Sequence, residues 1–176
     1  MIHLSACQQQ ADTHPPLWDE PWSSKLHHVL GHDRIKLADG DDSWYAEARE
    51  RLSGLSLFVP GHHLATGIKQ GVAAGSFSNV ACLSPRGAQT WTVSMRNDID
   101  AALDLERRVC AFMDAHIVPF RHDLGYSNAA LDKLLSAIGN WGPVGTRLRF
   151  PYRSIDTAEA VRLRPIARSE LPDLFP

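Results

Sequence analysis

The sequence is poor in several things, and each shortage excludes a class of protein. Nowhere in its 176 residues are there about 18 consecutive apolar positions, so no segment reads as a membrane-spanning helix. The start, from Met1 to Asp12, has neither a basic opening nor an apolar run of about 7–15 residues, so a secretory signal is not expected. Three cysteines, Cys7, Cys82 and Cys110, cannot pair completely, which argues against a disulfide framework and for a reducing, cytoplasmic compartment. Charge of one sign is not in excess: 18 basic against 20 acidic residues leave a formal net charge of -2, which gives the whole chain no reason to seek nucleic acid or an anionic membrane. No repeat of about 20–50 residues recurs, which excludes a solenoid.

Sequence signatures of common chemistries are missing too. Lys69 is followed by Gln70 rather than Ser or Thr, so Gly67, Gly71 and Gly75 do not make a phosphate-binding loop. Ser76 follows Gly75, but Ser78 stands where a nucleophile elbow needs its closing glycine. The dinucleotide fingerprint is absent, and no cofactor is expected.

What is present is an ordinary globular composition, 44% hydrophobic and 22% charged, sufficient for a core without staples. Residues 1–21 read as an arm, broken by Pro15, Pro16 and Pro21. Four helices are predicted. A short one starts at Ser23 or Ser24 and stops at Gly31; a second covers about 43–53, with Trp44, Tyr45, Ala48 and Leu52 on one face. A third runs from the cap Asn97 to about Ile117, and a fourth from Ser127 to Gly139. Between the second and third helices the pattern reads as β. Trp91, Val93 and Met95 alternate with Thr90, Thr92 and Ser94; residues 77–83 read as a partner strand, joined through the turn chemistry of Pro85 and Gly87. Leu55 to Val59 reads as a third strand. Residues 64–74 fit a strand or a helix, because Leu64, Ile68 and Val72 share both periods; the two glycines favour strand. The expected fold is therefore α+β: a four-stranded antiparallel meander with helices packed on one face, over residues 22–146.

Residues 147–176 form an Arg-rich C-terminal tail expected to pack on that domain. Residues 1–146 hold 16 acids and 12 bases, a net of -4; the tail holds six arginines and four acids, a net of +2. Residues 147–153 read as a strand showing a basic face, residues 155–163 as a short helix, and Pro165, Pro172 and Pro176 as the end of regular structure. Arginine without lysine favours directed contacts to carboxylate or phosphate.

Three functional classes follow. The first is a non-catalytic recognition domain that binds a protein partner through Trp141, Arg147, Arg149 and Arg153. In layout and length, residues 55–138 resemble immunity proteins and secretion chaperones. The second is a metal-dependent hydrolase in which His62, His63, His122 and Asp123 converge on one ion. The third is a small-ligand or nucleic-acid binder using the tail, although the charge balance disfavours nucleic acid. The pair His28 and His32 has helical spacing, but Val29 stands where a metalloprotease needs Glu. Oligomeric state is not legible.

Overall fold

The computed structural model describes residues 34–37 and 40–175. The arm at 1–21 and the helix expected near 23–31 lie outside the described residues. The chain divides into two compact units, Met1–Phe77 and Ser78–Pro176.

The first unit is built on strands β1 (Arg34–Lys36), β2 (Ser56–Pro60) and β3 (Ala73–Phe77), in spatial order β1-β2-β3, with both pairings parallel. This overturns the antiparallel meander. Helix α1 (Asp42–Arg51) crosses from β1 to β2; a 3₁₀ turn (Gly61–His63) and helix α2 (Leu64–Lys69) cross from β2 to β3. Helix α1 starts where expected. Asp41 is its cap, accepting from the Trp44 N–H at 2.9 Å, and Ser43 Oγ and that N–H together hold the Asp41 carboxyl below its usual range.

Residues 64–74 were ambiguous because they contain both answers, a six-residue helix and then a strand. Gly67 reconciles them. A Cβ there would lie 2.7 Å from Ala73 Cβ and 3.2 Å from Val59 Cγ2, so only glycine lets α2 sit this close to the sheet. Gly71, at φ +68°, then turns the chain into β3. Tyr45, Ala48 and Leu52 of the α1 segment pack with Leu57, Val72 and the partly buried Ile35, and α2 covers Val59. Leu57 and Val59 share one side of β2, so both helices cover one face of the sheet. Among the described residues the sheet is wound in one direction, as in a β/α barrel wall.

The second unit is helical among its described residues: α3 (Asn79–Leu83), α4 (Pro85–Ser94), α5 (Ile99–His116), α6 (Val118–His122), α7 (Asn128–Gly139) and α8 (Thr157–Glu170). The hairpin expected over 77–95 is instead α3 and α4. Ser78 Oγ accepts from the Ala81 N–H at 3.1 Å and Ser84 Oγ from the Gly87 N–H at 3.2 Å, so Ser84-Pro85 is a cap followed by a first-turn proline rather than a turn. Trp91, Val93 and Met95 satisfied the strand period, yet Trp91 and Met95 are also four apart. Both are buried while Val93 is 52% exposed, which is the helical answer. The Trp91 indole donates to the Ala102 carbonyl at 3.0 Å, tying α4 to α5.

Helix α5 is capped by Asp98, one residue past the expected Asn97, and ends at His116, with Ile117 its C-cap, before Pro119; α7 keeps its expected cap, Ser127. The tail departs twice from expectation. Residues 147–153 form no strand, and α8 continues through Pro165 to Glu170. Pro165 and Val161 are both exposed, so the carbonyl freed by the missing N–H can turn to water. The buried stripe Ala160, Leu163 and Ala167 packs α8 on α7 and holds the helix together across it.

Candidate functional site

The face of the sheet that no helix covers among the described residues collects a small set of side chains. Lys36 pairs with Phe58 across β1 and β2, and Phe58 with Gly75 across β2 and β3, so these positions point to one side. Phe77, two residues beyond Gly75, shares it. The rings of Phe58 and Phe77 lie 5.4 Å apart, and Lys36 Nζ stands 5.5 Å over the Phe77 ring. Gly75 makes room for the Phe58 ring: a Cβ would meet its Cε1 at 2.9 Å, so the ring would have to shift. Lys36 ends β1 and Phe77 ends β3, so an amine and an aromatic wall stand at the C-terminal edge of a parallel sheet, with Phe77 52% exposed.

Sequence reasoning missed this site. A three-residue strand, Arg-Ile-Lys, has too little pattern to register, and a lone lysine is the least distinctive of functional residues. The only available signal was the run of glycines at 67, 71 and 75, which serves close packing and turning in a β/α wall instead of phosphate binding.

The expected site residues are distributed as follows. His62 and His63 form the turn just past β2, their rings 4.3 Å apart. His122 ends α6 and Asp123 is its C-cap, both in the second unit. Among the described residues no group of three or more His, Cys, Asp or Glu side chains could hold a metal ion. Trp141 is half exposed and its indole donates to the Cys82 carbonyl at 2.7 Å. Burial, reinforced by the Asp132 carboxylate and opposed by a hydrogen bond from Ser136, pushes the Cys82 thiol up, away from nucleophilic use. Arg153 donates to the Leu124 carbonyl and lies 4.4 Å over the Tyr126 ring, whereas Arg147 and Arg149 have no side-chain partner among the described residues. No helix among the described residues is long and apolar enough to cross a membrane.

No protein-family model matches the chain, and no curated protein does. Solved structures do. One is YagE, a prophage protein of the dihydrodipicolinic acid synthase family from E. coli K12, in complex with pyruvate: 14% identity, TM-score 0.61, covering 85% of this chain and 50% of that one. Another is dihydrodipicolinate synthase from Agrobacterium tumefaciens str. C58: 16% identity, TM-score 0.56, covering 89% of this chain and 48% of that one. Both are of the TIM-barrel type. The chain spans about half the length of the structures it matches, and at these identities the likeness is one of fold.

Proposed function

We propose that the C-terminal edge of the sheet binds a small 2-oxo acid and forms an imine with it through Lys36. The carrying observation is the position of that amine: last residue of β1, on the face that no described helix covers, against the ring of Phe77. In a β/α barrel the helix-free face is the interior and the C-terminal ends of the strands hold the reacting groups. The reading is further supported by YagE, which matches in fold and is in complex with pyruvate.

The chemistry needs a lysine and one proton. The unprotonated amine adds to the keto carbon, and the carbinolamine, once its hydroxyl has taken up a proton, loses water to leave an iminium with nitrogen in place of the carbonyl oxygen. That cation draws electrons from the neighbouring carbon and makes its C–H bond easier to ionise. His62 and His63, in the turn that follows β2, are at the same end of the sheet and of the right type to accept or return the proton. Phe58 and Phe77 offer an apolar wall to the methyl end of such a substrate.

The test is reductive trapping. The full chain is incubated with pyruvate and borohydride, and the modified lysine is mapped by peptide mass spectrometry. A reduced adduct concentrated on Lys36 and lost in Lys36→Arg is expected. An adduct spread evenly over Lys25, Lys69 and Lys133, or none at all, overturns the reading.

A further inference from the structure

We propose that residues 147–152, in the second unit, form a docking loop for a protein partner whose surface offers a pocket for a phenyl ring rimmed by carboxylates. The loop is braced at both ends. Thr146 and Ile155 are buried, with Thr146 Oγ1 3.2 Å from Thr157 Oγ1. The Leu148 N–H donates to Ser154 Oγ at 2.8 Å, and the Tyr152 N–H to the Arg149 carbonyl at 3.1 Å. Arg153 is fastened beyond it by the Leu124 carbonyl and the Tyr126 ring.

At the tip of this braced segment Phe150 is 96% exposed and Tyr152 56% exposed. A phenyl ring held in water forgoes the burial that ordinarily stabilises an aromatic side chain. The two arginines that precede Phe150 are distinguished from the rest of the tail by their lack of a side-chain partner among the described residues. Arg162 is paired with Glu159 at 2.7 Å, Arg164 donates to the Ala137 and Ile138 carbonyls, and Arg168 lies 4.8 Å over the Phe175 ring. Only Arg147 and Arg149 among the six are without a side-chain partner among the described residues, and both line a shallow concavity with Leu148 and Phe150.

An exposed aromatic anchor beside guanidinium forks that have no side-chain partner among the described residues is the composition of an interface hot spot. The forks match carboxylates in geometry as well as charge. An extended polyanion or an anionic bilayer fits less well: residues 147–176 contain no lysine, and the chain as a whole is slightly acidic. Because the loop is already braced, less ordering entropy opposes association.

The experiment selects a displayed library of random peptides on the full chain, then measures the recovered peptides by calorimetry. It compares wild type, Phe150→Ala and the double variant Arg147→Glu/Arg149→Glu. Circular dichroism should show the same fold and unfolding midpoint in all three, since the changed side chains are exposed. Recovered peptides should combine acidic and large apolar residues, weaken with salt, and lose about tenfold or more in affinity to each variant. Peptides without acidic enrichment, or affinities untouched by the substitutions, overturn the proposal. So does finding that the loop's only measurable association is with single-stranded oligonucleotide, with anionic vesicles or with a second copy of this chain.

Discussion

At the scale of single residues, several of the smallest side chains decide the most. Gly67, Gly75 and Gly139 sit where a Cβ would collide with a neighbour, and Gly139 is the tightest: its Cβ would fall 1.8 Å from the Leu83 carbonyl oxygen. Neither atom belongs to a flexible tip, so α3 and α7 would have to separate. Gly139→Ala is expected to destabilise the protein by about 3 kcal/mol, seen as a lower midpoint in urea. A change within a few tenths of a kcal/mol would mean that this helix contact is looser than described. Sequence reading found Gly139 only as a helix stop. Its closeness to Leu83 joins residues 56 apart, which no local pattern encodes.

At the scale of elements, the helices that were legible were those with long amphipathic faces and side-chain caps. Helices α1, α5 and α7 have both, and their limits fell within a residue or two of expectation. Helix α4 was read as a strand because Trp91, Val93 and Met95 obey a period of two, and the arbiter between periods, the burial of Val93, exists only after folding. Helix α8 was cut short because a proline inside a helix is costly in isolation. Here the missing hydrogen bond faces water while Leu163 and Ala167 are buried. Pro165→Ala should therefore restore a backbone bond without disturbing packing, raising stability by on the order of 1–3 kcal/mol in thermal or urea unfolding. Loss of stability would show that the proline's restriction of the unfolded chain outweighs the bond it removes.

At the scale of the whole molecule, the parallel sheet is the feature with most consequence. Parallel sheets ordinarily have both faces covered. Among the described residues of the first unit α1 and α2 cover one face, while the other presents Phe58, the half-exposed Phe77 and the Lys36 amine. Such a face should bind apolar probes. Phe77→Asp is expected to reduce the fluorescence of a naphthalene sulfonate dye added to the chain, without loss of helical circular dichroism. Unchanged dye binding would show that the apolar surface it reports lies elsewhere.

Sequence alone determined the composition, the charge division between body and tail, three of the helices and strand β2, because each of these is written in residues close together along the chain. It also singled out Arg147 and Arg149, though not the exposed phenylalanine between them and Tyr152. Tertiary structure alone decided that the strands run parallel, and it gathered Lys36, Phe58 and Phe77 on one face. The physical reason is the same in both cases. Strand direction and the meeting of distant side chains depend on crossover connections and on close approaches such as that of Gly67 to Ala73, which local periodicity does not carry.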